Sequence, residues 1–202
     1  GEYYDSRITP PYVDASGFTW EEATVMPEPF PQIIAPVGPR ILERNQMSLR
    51  PISATVYCGT IDNGTDYGEI NVTSKKIGTG CENMTLNPGE TLILDFGQNQ
   101  VGRHEIVFST DKDCHVCGYF AELLNDSGAE SRGNDGPKGS LYVKNYRSAR
   151  AKYNYIASGD KEESYKPLFT FYGYRYFMLR ADKPLSLKKV TALVVGSDIE
   201  EI

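Results

Sequence analysis

The feature that most constrains the fold is one aromatic run at residues 165–180, YKPLFTFYGYRYFMLR. Side chains of a strand alternate between the two faces of its sheet, so this run divides into two sets. The first set is Phe169, Phe171, Gly173, Arg175, Phe177 and Leu179; the second is Thr170, Tyr172, Tyr174, Tyr176 and Met178. Both sets are largely apolar or aromatic. This predicts a central strand covered on both faces, or a strand that presents tyrosines at a surface.

The rest of the composition favours strands and turns over long helices. The chain has 202 residues, with 19 Gly, 12 Pro and 14 Tyr but only 4 Met. From residue 51 onward, short apolar runs alternate with turn residues, as in sandwiches and jelly rolls. We therefore predict an all-β fold, an antiparallel β-sandwich, at residues 51–202. The candidate strands are Ser53–Cys58, Glu69–Val72, Thr91–Phe96, Gly102–Ser109, Cys114–Leu123, Ala151–Ala157, Leu168–Ala181 and Leu185–Val195.

Residues 1–50 differ from this pattern because they hold most of the prolines. Proline disfavours helix interiors and central strands, so we predict an extended arm over 1–50, with a short strand from a preceding domain. That strand is placed at Glu2–Arg7. Phe18 and Trp20 are expected to anchor the arm to the surface.

Charge and hydropathy argue against two classes of partner. The chain has 21 basic and 27 acidic residues, a net charge of −6, whereas a protein that follows nucleic-acid phosphates carries a basic patch. No apolar run approaches the ~20 residues that span a bilayer. The chain lacks an initiator Met and a signal-peptide pattern, so we expect a mature product or a piece of a longer protein.

The four cysteines leave several interpretations open. Cys114 and Cys117 form a CHVC motif, which suggests a redox or zinc site, but a zinc ribbon needs a second pair and Cys58 and Cys81 are isolated. The pattern favours structural thiols that pack as small apolar groups. A Cys58–Cys81 disulfide in an oxidising compartment stays open.

A polar corner follows one apolar strand and is a candidate binding site. Asp95, Gln98 and Asn99 offer oxygen ligands suited to a sugar or to calcium, although no calcium-loop spacing is present. The alternative is that these side chains satisfy backbone groups at a strand corner. Tyr172 and Tyr174 could stack against sugar rings, or they could pack inside the domain.

Glu122 stands in an apolar segment and is a second candidate. A buried carboxyl with a raised pKa can act as a catalytic acid, but such a group more often pairs with a cation, and Arg175 is the expected partner. Glycoside hydrolysis needs two carboxyl groups about 5 to 9 Å apart, and no second one is indicated. Neither a Ser-His-Asp arrangement nor a phosphate-binding glycine loop is present. We expect no catalytic residue and no metal site.

Five ordered motifs together resemble the accessory β-domain of bacterial α-L-rhamnosidases, the family 78 glycoside hydrolases. They are GEYYDSR at 1–7, LILDFGQNQVG at 92–102, AELLNDSG at 121–128, AKYNYIASGD at 151–160 and YKPLFTFYGYRYF at 165–177. The resemblance covers nearly the whole chain. Tyr174 replaces the usual Phe of the last motif.

The resemblance implies a concanavalin-like sandwich that does no chemistry by itself. In the family, the general acid and base of an inverting hydrolysis reside in an (α/α)6 barrel C-terminal to this region, which implies that the barrel is this domain's partner. A rhamnose-containing glycan is the implied ligand of the parent enzyme, and no cofactor is implied. The alternative is a free-standing carbohydrate-binding module that uses Tyr172, Tyr174 and the corner at 95–99.

The same resemblance suggests where the protein acts. Rhamnosidases that degrade external glycans are often exported, so we expect a periplasmic or extracellular location. Four N-x-S/T sequons are compatible with this and predict surface segments, at Asn63, Asn71, Asn83 and Asn125.

Overall fold

The structure, a computed structural model, describes residues 1–8, 14–27, 31–61, 69–78, 81–125 and 138–199, with the backbone alone at 59–61 and 69–78. These residues contain thirteen strands and no α-helix. The strands are β1 (Glu2–Asp5), β2 (Ile41–Glu43), β3 (Ser53–Ile61), β4 (Glu69–Gly78), β5 (Met84–Leu86), β6 (Glu90–Thr110), β7 (His115–Ala121), β8 (Leu123–Leu124), β9 (Leu141–Tyr142), β10 (Lys152–Ile156), β11 (Glu163–Tyr165), β12 (Tyr172–Ala181) and β13 (Leu185–Ser197). Two short 3-10 turns lie at Asn45–Met47 and Lys144–Tyr146.

Eleven of these strands form one curled sheet, which confirms the predicted all-β class. The main order is β1–β10–β7–β12–β6–β13–β2, with β3, β4, β5 and β11 pairing alongside. The pairings are antiparallel except that of β1 with β10. No helix among the described residues is long and apolar enough to cross a membrane.

The long strand β6 joins the two predicted strands Thr91–Phe96 and Gly102–Ser109 into one. Its first part pairs with β3, and its second part pairs with β13 and β11. The two parts meet at Gly97, whose φ of +83° is a left-handed backbone conformation that glycine adopts readily. The corner predicted at residues 95–99 therefore lies within a single strand.

The two faces of the sheet carry separate apolar clusters. The larger cluster fills the curl and includes Leu94, Phe108, Phe120 and Phe177, all fully buried. A smaller one on the other face contains Ile93, Ala121, Leu141 and Met178. Because β12 lies between β7 and β6 and contributes to both clusters, it is the central strand that the aromatic run predicted.

The predicted division of that run into two faces is wrong, because the pairing of β12 with β6 contains a bulge at Arg175. Tyr174 pairs with Gln100 and Tyr176 with Asp95, so Arg175 stands opposite the four residues 96–99 of β6. The extra residues are on β6, and the alternation of side chains along β12 shifts by one position across this irregularity. Tyr174 and Phe177 therefore share the larger cluster, while Tyr176 packs on the other face. The run is also strand only from Tyr172 onward.

The N-terminal region joins the sheet at two places. Strand β1 pairs with β10, and β2 pairs with β13, so both contribute to the main sheet. Between them, the described residues 14–27 and 31–40 are exposed. Phe18 and Trp20 contact each other but are 40% and 66% exposed, so the prediction that they anchor the arm is wrong. The domain boundary at residue 50 stays a prediction.

The predictions about the cysteines and about the N-x-S/T sequons have different outcomes. All four cysteines are free thiols, with Cys81 and Cys114 buried, and burial raises the pKa of Cys81 to about 11. Of the sequons, Asn83 is exposed, but Asn125 is 3% exposed and its amide donates to Ser140 Oγ at 2.8 Å and to Leu141 O at 3.0 Å. The surface prediction is therefore wrong for Asn125. Asn63 lies outside the described residues, and the side chain of Asn71 is not described.

Candidate functional site

The polar corner is held by an ion pair between Asp95 and Arg175. The Arg175 Nε–H donates to Asp95 Oδ1 at 2.8 Å, and Nη2–H donates to Oδ2 at 2.9 Å, a bidentate geometry. The Gly97 N–H also donates to Asp95 Oδ1 at 2.7 Å and fixes the turn. Burial alone would raise the pKa of Asp95, but the hydrogen bonds from Arg175 and Gly97 outweigh burial and lower the pKa. Asp95 is therefore a structural carboxylate of the corner.

The expected ion pair between Glu122 and Arg175 is wrong. The Glu122 carboxylate accepts from Asn99 Nδ2 at 3.1 Å and from Asn145 Nδ2 at 2.6 Å. Strand β12 lies between β6 and β7; Arg175 turns toward β6, whereas Glu122 follows the end of β7. The register shift of β12 against β6 lies at Arg175, and nothing in the spacing of the sequence indicates it.

The other two corner residues, Gln98 and Asn99, are both exposed. Asn99 is exposed, but its amide is engaged by Glu122, and Gln98 is exposed at the rim. Among the described residues, no three His, Cys, Asp or Glu side chains lie close enough together to hold a metal ion. Sugar or calcium binding by Asp95, Gln98 and Asn99 stays a prediction.

The two tyrosines proposed as a sugar platform pack inside the domain. Tyr174 is fully buried, and its hydroxyl donates to Arg103 O at 3.1 Å. Burial raises the pKa of Tyr174 well above its usual range. Tyr172 stacks on Phe120 with ring centroids 4.2 Å apart and donates to Lys152 O at 3.1 Å. The buried Tyr174 ring presents no free face of the kind that sugar stacking needs, whereas Tyr172 is half-buried, so sugar binding by Tyr172 stays a prediction.

Glu2 is a contact centre that the sequence analysis missed. Its carboxylate accepts from the N–H groups of Leu168 at 3.0 Å and Phe169 at 3.3 Å, and from the Thr170 hydroxyl at 2.9 Å. It thereby fixes the segment 166–171, which connects β11 to β12. Both Glu2 and Thr170 lie in motifs of the family resemblance, at residues 1–7 and 165–177, which was the one signal for this contact. Nothing in the sequence indicates that the two motifs are in contact.

Glu163 is a second missed carboxylate, 5% exposed. It accepts from the hydroxyls of Ser6 at 3.0 Å and Tyr155 at 2.8 Å, and from the N–H groups of Ser158 at 3.0 Å and Gly159 at 3.1 Å. These four donors give a buried carboxylate the hydrogen bonds it needs without a cation. Glu163 thus ties the turn after β1 to β10 and β11.

The motif residues therefore contact one another instead of converging on an open site. Side-chain hydrogen bonds join Glu2 to Thr170, Asp95 to Arg175, and Asn99 to Glu122. A curled antiparallel sheet with such internal polar contacts defines an all-β structural domain.

Comparison with known families identifies this domain further. The bacterial alpha-L-rhamnosidase concanavalin-like domain matches residues 85–196, more than half of the chain. The chain belongs to this family, as the five motifs predicted.

Individual relatives agree with this assignment. An alpha-L-rhamnosidase of Streptomyces avermitilis is 40% identical over 89 residues, which are 44% of this chain and 8% of the relative. The structure of an Aspergillus terreus rhamnosidase matches with a TM-score of 0.60 and 26% identity, over 99% of this chain and 19% of that one. The structure of the Dictyoglumus thermophilum α-L-rhamnosidase matches with a TM-score of 0.64 and 24% identity, over 99% of this chain and 18% of that one. This last likeness concerns the fold alone. The chain spans less than a fifth of each of these proteins.

Proposed function

We propose that this chain is a non-catalytic β-domain of an α-L-rhamnosidase that supports the catalytic barrel of the same enzyme. The parent enzyme releases terminal α-L-rhamnose from glycans or glycosides, outside the cytoplasm. The observation that carries this proposal is the family match, combined with the small share of each relative that the chain spans. In such a protein, four-fifths or more of the chain lies outside the region compared here.

The geometry of the motif carboxylates supports a structural role. Hydrolysis of a glycosidic bond needs one carboxyl to donate a proton and a second to activate water or attack, both facing the sugar. Glu2, Asp95, Glu122 and Glu163 are instead each held by two or more donors within the domain. A carboxylate engaged in this way holds elements together and is poorly placed to attack a substrate.

Activity of the isolated domain provides the first test. We expect the 202-residue chain to release no product from an aryl α-L-rhamnoside, while the full-length enzyme that contains it hydrolyses the same compound. Hydrolysis by the isolated chain that is lost in Glu122→Gln would contradict a non-catalytic role.

Binding of the free sugar provides the second test and separates the competing carbohydrate-binding module. Titration calorimetry of the isolated chain with L-rhamnose, with and without calcium, should give no saturable heat. Saturable binding that is weakened by Gln98→Ala would support the module at the corner. Tyr174→Ala is unsuitable for this purpose, because Tyr174 is fully buried and its truncation would disturb the core.

A further inference from the structure

The loop at residues 166–171 is held unusually firmly for a connection between two strands. Besides the three bonds to Glu2, Arg103 Nη1–H donates to Pro167 O at 3.1 Å and to Leu168 O at 3.3 Å. Glu43 of β2 forms an ion pair with Arg103 and another with Lys166 at 3.2 Å. Residues from β1, β2 and β6 thus fix one loop from three sides.

This firmly held loop nevertheless exposes large apolar side chains. Leu168 is 52% exposed, Phe169 89% and Phe171 51%. Single exposed apolar residues are common, but a contiguous group on a fixed backbone is typical of a binding surface. Since the backbone is already ordered, this loop loses less conformational entropy when a partner covers its rings than a mobile loop would.

The exposed rings border an open cleft of about 550 Å³. Its other walls include Tyr146, Ala149, Arg150 and Tyr172. The polar atoms here are mostly engaged within the domain: the Tyr146 hydroxyl donates to Gly173 O, and the Tyr172 hydroxyl donates to Lys152 O. A sugar would need several free donors and acceptors, whereas two phenylalanine rings with satisfied neighbours favour apolar side chains of a protein.

The segment 144–152, part of which forms one wall of the cleft, carries only basic charges, against the net charge of −6 for the whole chain. The carboxylates of Glu2 and Glu122, which also lie near cleft residues, are both hydrogen-bonded within the domain. Lys144, Arg147, Arg150 and Lys152 fall within nine residues, and no acidic residue lies between Leu141 and Gly159. Arg150 lines the cleft and is exposed, and it has no carboxylate partner among the described residues. A complementary surface would combine apolar side chains with a carboxylate.

We propose that the cleft formed by Phe169, Phe171 and Arg150 is the docking surface for the remaining part of the α-L-rhamnosidase chain, which inserts apolar side chains and sets a carboxylate against Arg150. The inference rests on the proposed function. The size of the relatives indicates the occupant. The matches to the two rhamnosidase structures include 99% of this chain but less than a fifth of each rhamnosidase. Domains joined in one chain share an interface of about 600–1,500 Å².

Hydroxyl-radical footprinting of the isolated chain and of the full-length enzyme tests this without any substitution. The modification rates of Phe169 and Phe171 should fall at least about tenfold in the full-length enzyme, since the core of an interface excludes water. Buried Phe177 should react slowly in both proteins. Equal rates at Phe169 in the two proteins overturn the docking surface.

Matched variants in both proteins provide the second measurement. Phe169→Ser should lower the melting temperature of this domain by about 3 °C or more within the full-length enzyme but by less than about 1 °C in the isolated chain. Arg150→Glu should act in the same direction. The controls are Met47→Ser and Arg50→Glu, changes at exposed residues outside the cleft, which should shift both proteins equally.

The outcomes separate this inference from the proposed function. A full-length enzyme that hydrolyses an aryl α-L-rhamnoside but leaves Phe169 exposed contradicts the docking surface alone. A full-length protein without rhamnosidase activity contradicts the proposed function, whatever the footprint. Protection of Phe169 in the isolated chain by L-rhamnose would make the cleft a sugar site and overturn the inference.

Discussion

The two halves of the aromatic run at 165–180 have opposite environments although their compositions are similar. From Tyr172 onward the run is a central strand, and Tyr174 and Phe177 are fully buried. Before Tyr172 it is a loop in which Phe169 is 89% exposed. The difference comes from backbone pairing: β12 has strands on both sides, whereas the N–H groups of Leu168 and Phe169 donate to a carboxylate. Aromatic content alone therefore does not decide burial.

The largest expected effect lies in the buried half. Phe177 contacts His104, Phe120 and Tyr153 in the main core. Phe177→Ala removes these contacts and leaves a cavity, so the free energy of unfolding should fall by about 3 to 5 kcal/mol. Urea denaturation followed by circular dichroism measures this loss. A loss below about 1 kcal/mol would mean that the strand is not the centre of the core.

The buried half should also make stability depend on pH through His104. This side chain is fully buried among aromatic rings, and burial lowers its pKa from 6.5 to about 3. Between about pH 6.5 and pH 3, His104 is therefore protonated in the unfolded chain but stays neutral in the folded chain. The contribution of neutral His104 is complete above pH 6.5 and is lost progressively as the pH falls toward 3.

Between pH 6.5 and 5, the free energy of unfolding should fall by about 1.4 kcal/mol per pH unit once the pH is well below 6.5. Asp95, whose pKa is lowered, stays ionised throughout this range. Urea titrations at several pH values measure the slope, and His104→Phe should flatten it. A slope that persists in His104→Phe would assign the effect to other groups.

A smaller effect distinguishes the two candidate partners of Arg175. Double-mutant cycles with Asp95→Asn and Arg175→Gln should give a coupling of about 1 kcal/mol, modest because the Arg175 side chain is 37% exposed and solvent screens the pair. The cycle of Glu122→Gln with Arg175→Gln should give a coupling near zero, because Glu122 is held by Asn99 and Asn145. A larger coupling in the second cycle would restore the pairing expected from the sequence.

How much the sequence predicts depends on whether a feature is local. Strand periodicity and turn residues located β3, β7, β10, β13 and the end of β12 closely, and the ordered motifs indicated the family. The bulge at Arg175 was not predictable, because it arises from an unequal count of residues on β12 and β6, which lie far apart in the chain. The same applies to the contacts of Glu2 with Thr170 and of Ser6 with Glu163, each separated by more than 150 residues. Long-range partners of polar groups are determined by topology, which a single sequence does not specify.

The smallest expected effect lies in the exposed half of the run. Phe169→Ala in the isolated chain should change the free energy of unfolding by less than about 0.5 kcal/mol, because an exposed ring loses few contacts on truncation. Urea denaturation of Phe169→Ala and Phe177→Ala under the same conditions compares the free energy of unfolding that each phenylalanine contributes. Glu2→Gln provides the internal control, because it weakens the hydrogen bonds that the Leu168 and Phe169 N–H groups donate to this side chain. Hydrogen exchange of these two amides should become faster while the Phe169 ring stays exposed. A loss above about 2 kcal/mol in Phe169→Ala would show that the ring packs within the isolated domain, and the contrast between the two halves would then disappear.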